Sequence, residues 1–309
     1  MAIGVNPNVV LGPTSTTGFY AGITPPANGY TIYQNKASGG PSIYCPTSDA
    51  QLITYTNTQV AGTVGSPASY TTAAQCLDYY AGQTDKICVN FDYEGIVTSG
   101  SIVNIDAGFT TSYPKSGTTI YDLSGNTYNG ALTNGPTFDS ANSGSIVFSA
   151  PSDQYININS GASILSNVSY TKIAWFNCSN FVSYNNNIIS GGNTGQHAFW
   201  LYNSNKLNAG HNSVWNLVVG TTTLSLNTWY CGAVTFNTTN GWKLYLNGVQ
   251  EATSANTTTF TGTGDIQIAR YQGGNNFNGK IAIAQIYNRV LSASEILQNY
   301  NAQKSRFGL

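Results

Sequence analysis

The reactive side chains of this 309-residue chain are few: two histidines, His197 and His211, and three glutamates, Glu94, Glu251 and Glu295. Cleavage of a glycosidic bond with retention needs two carboxylates about 5.5 Å apart, one as nucleophile and one as proton donor. Glu251 has no other acid within ten residues, and Glu295 closes a Ser292-Ala-Ser-Glu295 capping box. Asp92-Tyr93-Glu94 is the close acidic pair, and that spacing is a weak catalytic signal. A serine or cysteine nucleophile would call on histidine as its base. There is no Gly-x-Ser-x-Gly elbow, no His-Glu-x-x-His and no phosphate-binding loop, and the Gly-Gly pairs at 39–40, 191–192 and 273–274 read as turns. His197 opens the segment HAFWLY and His211 falls in a polar turn, so both read as structural. No enzyme activity is expected, and no catalytic or cofactor-binding residue is assigned.

Cysteines stand at 45, 76, 88, 178 and 231, an odd count without a Cys-x-x-Cys pair, which does not indicate a disulfide framework. Cys178 and Cys231 follow Trp175 and Trp229 in apolar segments and read as small buried groups. Calcium wants six to eight oxygens with several carboxylates among them. Asp106, Asp122, Asp153 and Asp265 are isolated from one another, so a calcium site would have to be assembled by folding, and each reads first as a turn or cap residue. No metal ligand is assigned and no cofactor is expected.

The residue types that remain are aromatics and amides. A carbohydrate site uses an aromatic face against the C–H surface of the sugar and amides or carboxylates against its hydroxyls. Tyr184-Asn-Asn-Asn187, His211-Asn212, Trp215 and Tyr271-Gln-Gly-Gly-Asn-Asn276 carry these types between strands. The candidate glycan-facing residues are Tyr184, Asn186, His211, Trp215, Tyr271 and Asn275; the alternative is that the aromatics fill a core and the asparagines fill turns.

These residues sit in a chain that reads as mainly β. Residues 1–28, rich in Pro, Gly and Thr, are expected to form an extended arm that gains order either on another subunit or on its own domain. Residues 29–100 are expected to form a small α+β docking module. Its strands are YTIYQ, PSIYC, QLITYT and ICVNF, and its helix follows Thr71 or Thr72 with Ala73, Cys76, Leu77 and Tyr80 on the apolar face. Residues 101–309 show short strands at regular spacing with turn residues between them, as in an antiparallel β-sandwich. The strands expected are SIVNID, SIVFS, QYININ, YTKIAWFNC, HAFWLY, WNLVVG, TWYCGAVTF, WKLYLN, VQEAT, DIQIAR and KIAIAQIYN. Asn247-Gly248 favours a type I′ hairpin turn, with Trp242, Leu244 and Leu246 on one face and Lys243 and Tyr245 on the other. A helix over 293–303 follows the capping box, with Ile296, Leu297 and Tyr300 as its apolar stripe.

Charged residues make up 7% of the chain and the net charge is −1. Without a basic patch, nucleic acid is not expected as a partner. No apolar run approaches the ~18 residues of a membrane span, and the first residues do not resemble a signal peptide, so the chain is expected to stay soluble. Asn-x-Ser/Thr sequons at Asn167, Asn177, Asn237 and Asn256 follow from the abundance of Asn and Thr. A surface of hydroxyls and amides loses little entropy on packing side by side, which suits association with copies of itself.

The stretches DAGFTTSYPKSGTTIYDLSGNTYNGALTNGPTFDSANSGSIVF, LNTWYCGAVTFN, GWKLYLNGVQ and FNGKIAIAQIYNRVLSASEILQNYNAQKSRFGL resemble, in order, the laminin-G-like (concanavalin A-like) jelly-roll domains of bacteriophage structural proteins. The segments NGYTIYQNKASGGPSIYCPTSDAQLITYTNTQVAG and TDKICVNFDYEGIVTSG resemble a module that precedes such domains in tailed marine phages, cyanophages among them. The resemblance implies a virion component made in the host bacterial cytoplasm, with other capsid or tail proteins as partners. The reading it favours is a non-enzymatic, multicopy capsid decoration or other surface-exposed particle component anchored by its N-terminal region, with a tail fibre or an adhesin for host surface glycans as the alternative. Where many relatives place an acidic residue after the Gly-x-Ile of the last strand, Gly279-Lys280-Ile281 is followed here by Ala282.

Overall fold

The structure, a computed structural model, describes residues 30–34, 42–44, 49–61, 69–72, 75–76, 79, 86–90, 95–181, 186–192, 196–202 and 205–309. The expected N-terminal arm and the Asp92-Tyr93-Glu94 pair lie outside the described residues. The chain divides into two compact units, Met1–Gly95 and Ile96–Leu309.

In the first unit β1 (Tyr30–Gln34), β2 (Ser42–Tyr44) and β3 (Lys86–Asn90) form an antiparallel sheet in the order β2-β1-β3. The segment QLITYT, expected as a strand, belongs instead to helix α1 (Asp49–Val60). The β-branched residues suggested extension, but burial follows the helical period: Leu52 and Thr56 are fully buried while Gln51, Thr54 and Thr58 are exposed. The Thr56 hydroxyl donates to the Leu52 carbonyl at 2.8 Å and that of Thr58 to Thr54 at 2.9 Å, which satisfies both hydroxyls inside the helix. In the segment expected to be helical, Gln75, Cys76 and Tyr79 are helical, and Ala73, Leu77 and Tyr80 lie outside the described residues. Thr72 Oγ1 accepts from the Gln75 amide at 3.3 Å while Gln75 Oε1 accepts from the Thr72 amide at 3.1 Å, a reciprocal cap.

The second unit is a two-layered antiparallel sandwich. Its strands, in chain order, are β4 (Ser101–Asp106), β5 (Thr119–Ile120), β6 (Gly130–Thr133), β7 (Thr137–Asp139), β8 (Ser145–Phe148), β9 (Tyr155–Ile158), β10 (Tyr170–Cys178), β11 (Asn186–Asn187), β12 (Ile189–Gly191), β13 (Ala198–Leu201), β14 (Leu207–His211), β15 (Val214–Val219), β16 (Trp229–Asn237), β17 (Gly241–Leu246), β18 (Val249–Ser254), β19 (Ile266–Ile268) and β20 (Gly279–Tyr287). One layer is the sheet β18-β17-β16-β10-β20-β8-β7, with β4 also on β20. The other is made of two smaller sheets, β12-β19-β9-β6-β5 and β11-β13-β14-β15. Every segment expected as a sandwich strand forms one; β5, β6, β7, β11, β12 and β14 are additional, and each is too short or too rich in Gly, Asn and Thr to stand out by pattern.

The inter-sheet core joins Val103, Phe148, Phe176, Val234 and Leu244 from the large sheet to Ile156, Ile268, Phe199 and Leu207 from the smaller ones. A second cluster covers the outer face of the large sheet, where Ile173, Trp175, Tyr245 and Ile283 meet Ile296 and Phe307. The central strand β10 is therefore buried along its whole length, which accounts for its apolar run from Ile173 to Phe176. Helix α2 (Ala293–Lys304) lies over this outer face behind the expected capping box, in which the Ser292 side chain accepts from the Glu295 amide and Glu295 accepts from the Ser292 amide. Its buried residues are Ile296, Asn299 and Ala302, spaced three apart, while Leu297 of the expected stripe is exposed. Asn299 is buried because it is satisfied: Oδ1 accepts from the Val97 amide at 2.7 Å and Nδ2 donates to the Tyr287 hydroxyl at 3.0 Å. The Tyr287 hydroxyl in turn donates to the Val97 carbonyl at 2.9 Å. Trp175 stacks on Phe307 at 4.2 Å and on Tyr300 at 5.7 Å, and its Nε1 donates to Gln303 Oε1 at 2.7 Å.

The Asn247-Gly248 turn joins β17 to β18 with φ of 49° and 80°, values that suit Asn and Gly. Trp242, Leu244 and Leu246 enter the inter-sheet core and Tyr245 the outer cluster, as alternation requires.

Candidate functional site

The smaller sheet β11-β13-β14-β15 leaves its outward face uncovered by the helix. In β13, Phe199 and Leu201 point into the core, so Ala198 and Trp200 face the other way. Antiparallel register sets Asn187 of β11 and Asn208 of β14 on either side of Trp200. Next along, β14 reaches β15 through a register shift between Ala209 and His211. Gly210 sits at that bulge, where a Cβ would strike the Val214 and Trp215 carbonyl oxygens, so only glycine lets β15 approach this closely. Asn212 and Ser213 make the connecting turn with φ of 52° and 65°.

Beside this face the chain makes an excursion over residues 270–276, closed at its base where the Phe277 amide donates to the Ala269 carbonyl at 2.8 Å. Asn187 Nδ2 donates to the Asn275 carbonyl at 3.0 Å, and Asn187 Oδ1 accepts from the Ser190 hydroxyl at 2.7 Å, tying the loop to the sheet. Together they enclose a hollow of about 290 Å³ lined by Asn187, Ala198, Trp200, Ser213, Trp215, Tyr271, Gln272 and Asn275. Trp215 stands edge-on to Trp200, with centroids 6.4 Å apart at 80°, and to Tyr271, 5.3 Å apart at 67°. Trp200 is 2% exposed and its Nε1 has no hydrogen-bond partner. A buried N–H without a partner costs free energy.

The structure thus brings together three of the six residues expected to face a glycan, Trp215, Tyr271 and Asn275. Tyr184 lies outside the described residues. Asn186 is fully buried, paired in register with the core residue Leu201, and so belongs to the inner face. His211 is not in a turn: the bulge at Gly210 extends β14 through it, and it is 1% exposed. Its Nε2–H donates to the Thr258 carbonyl at 2.6 Å, its Nδ1 faces the Tyr170 hydroxyl at 3.3 Å, and its ring packs on Phe236 and Trp242. Burial lowers its pKa to about 4, with the Thr258 hydrogen bond opposing. Trp200 was not among the expected residues. The segment HAFWLY is apolar on both faces of one strand, so its pattern does not single out Trp200.

The acidic residues weighed as calcium ligands serve other ends. Asp106 is buried against Arg306 Nη1 at 2.6 Å, Asp153 is gripped by Arg270, Asp265 accepts from Asn157 and the Ser160 amide, and Asp122 accepts from the amides of Asn104, Ser124 and Tyr128. Among the described residues no three His, Cys, Asp or Glu side chains stand together as a metal site would need. Cys178 and Cys231 are buried free thiols, and burial pushes Cys178 up to about 11 and Cys231 further. Among the described residues no helix is long and apolar enough to cross a membrane.

Residues 150–297 match the family model of the concanavalin A-like lectin/glucanases superfamily, in keeping with the jelly-roll fold of the sandwich. No curated protein matches the chain. Among solved structures, domain 4 of an extracellular arabinanase of Geobacillus stearothermophilus, in complex with arabinotriose, is 18% identical with a TM-score of 0.51, covering 65% of this chain and 98% of that one. The binding domain of Paraclostridial Mosquitocidal Protein 1 is 17% identical with a TM-score of 0.55, covering 66% of this chain and 52% of that one. A Trypanosoma rangeli sialidase in complex with 2,3-difluorosialic acid is 14% identical with a TM-score of 0.53, covering 69% of this chain and 34% of that one. The chain thus spans about half of the toxin binding domain and a third of the sialidase, and at these identities the likeness is one of fold.

Proposed function

We propose that the sandwich is a non-enzymatic glycan-binding domain whose site is the hollow between β13, β15 and the 270–276 loop. The observation that carries this is the convergence of Trp200, Trp215 and Tyr271 with the amides of Asn187, Gln272 and Asn275 in one concavity on the uncovered sheet face. Aromatic walls take the C–H surface of a sugar, and amides take its hydroxyls. Among the described residues the hollow is lined by no carboxylate and no histidine, which supports binding rather than cleavage. A fold neighbour binds arabinotriose, in keeping with a saccharide ligand. The test is binding of the purified chain to a glycan array and to bacterial cells. Retention that Trp215→Ala abolishes, with the fold intact, supports the site, and silence from both surfaces sinks it.

The wider setting we propose is a bacteriophage particle, on whose surface the first unit docks and the sandwich is displayed in many copies, as capsid decoration or as tail appendage. Support comes from the resemblance of both segments to phage structural proteins and from a chain with only 7% charged residues, which repels its own copies little. Deleting residues 1–95 should abolish incorporation into particles; normal incorporation of the remainder would refute the docking role.

A further inference from the structure

The chemistry of the hollow's lining decides which sugars it would take. Given the glycan assignment proposed above, we infer that the hollow selects a neutral sugar ring and rejects acidic sugars such as uronic and sialic acids. No charged side chain lines it among the described residues. The sandwich residues that are not described, 182–185, 193–195 and 203–204, contain no Asp, Glu, Lys, Arg or His in sequence, so none of them adds a charge.

The cation next in chain to the hollow is withheld from it. Arg270 precedes Tyr271, but its guanidinium is fixed on Asp153 by Nε at 2.8 Å and Nη2 at 3.0 Å, and it lies over the Tyr155 ring at 4.2 Å. The Asp153 carboxylate already compensates this guanidinium, which withholds its charge from a ligand carboxylate. An acidic sugar entering the hollow would shed water from its carboxylate and meet no counter-charge, which disfavours it strongly.

The groups that are present suit hydroxyls. Asn187, Gln272 and Asn275 bring amides, and Ser213 a hydroxyl, which both donate and accept as sugar hydroxyls do. The perpendicular setting of Trp215 against Trp200 and Tyr271 makes a corner rather than a flat platform. A volume of about 290 Å³ is at the small end for ligand pockets, roughly 300–1,000 Å³, and fits one ring at a time rather than a long run of a chain.

The experiment is an array of paired glycans that differ only in a carboxylate, hexose against hexuronate and asialo against sialylated, probed with the full chain, with Trp215→Ala and with Gln272→Arg. The expected result is binding of neutral members at least ten-fold tighter than of their acidic partners, loss of both with Trp215→Ala, and a narrowed or inverted ratio with Gln272→Arg. Circular dichroism and melting temperature confirm that each variant is folded. Trp215-dependent binding of acidic members as tight as the neutral ones would overturn neutral selection while leaving the glycan site standing. Binding to no member, or binding that folded Trp215→Ala retains, would overturn the site itself.

Discussion

Lys172 Nζ lies 2.6 Å from Nδ1 of His197 in the middle of the inter-sheet core, both side chains buried and no carboxylate beside them. The amine also donates to the Ile189 carbonyl at 3.4 Å. Burial drives the pKa of Lys172 and of His197 well below their usual values, and for His197 the Lys172 and His211 charges lower it further. With His211 lowered to about 4, the core contains basic groups whose protonated forms are disfavoured in the folded chain relative to the unfolded one.

The first prediction is acid lability. A base whose folded pKa is depressed favours the unfolded chain once pH falls below its unfolded pKa. The contribution of His211 is therefore intact above pH 6.5 and is lost as pH falls from 6.5 to about 4. Glu295, held at about 2 chiefly by the Arg289 hydrogen bond, adds a separate loss as pH falls below 4.5. Urea midpoints taken between pH 7 and 4 should fall steadily, and a flat profile above pH 4.5 would rule out the histidine contribution.

The second concerns Lys172→Met, which keeps the length and removes the amine. While the folded lysine is neutral and the unfolded one charged, the native chain loses about 1.4 kcal/mol for every unit by which pH lies below the lysine's ordinary value. The variant should be more stable than the parent at pH 7, even after losing a hydrogen bond worth about 1–3 kcal/mol to His197. The difference should shrink as pH approaches 10.5, the ordinary lysine value. Melting curves at pH 7 and 10 decide it; a less stable variant at both contradicts a neutral lysine.

The third concerns Arg306, which reaches from the end of the chain to Asp106 at 2.6 Å and donates from Nε to the Asn142 carbonyl. Burial pushes the Asp106 carboxyl up, and Arg306 opposes that push. Arg306→Met leaves a buried carboxylate alone and should cost about 3–5 kcal/mol, read from urea unfolding. Asp106→Asn with Arg306→Met together should recover part of that loss.

The fourth concerns Gly210. Gly210→Ala forces β15 away from β14, at a cost on the order of 1–3 kcal/mol for overpacking. Because Trp215 rides on β15, glycan binding should weaken beyond what the stability loss explains. Binding measured well below the melting temperature separates the two effects.

Much of this was legible in the sequence. The sandwich strands show in alternation, and the Ser292 and Asn247-Gly248 signals work through local hydrogen bonds and φ preferences that need no tertiary context. α1 was not legible, because threonine satisfies its hydroxyl against the preceding turn and so tolerates a helix that its β-branching argues against. Trp215, Tyr271 and Asn275 showed by type, but His211 and Asn186 did not separate from them, since a bulge and a one-residue change of parity decide which face each takes. Trp200 was hidden for the same reason: a strand apolar on both faces does not say which face stays open.

The Asn299-Val97-Tyr287 triangle has a mechanical meaning. Force arriving along the chain from upstream of Ile96 meets Val97 first, and Val97 is bonded through its amide to the closing helix and through its carbonyl to the end of β20. The pull is shared at once between the covering helix and a central strand instead of peeling the domain open from an edge.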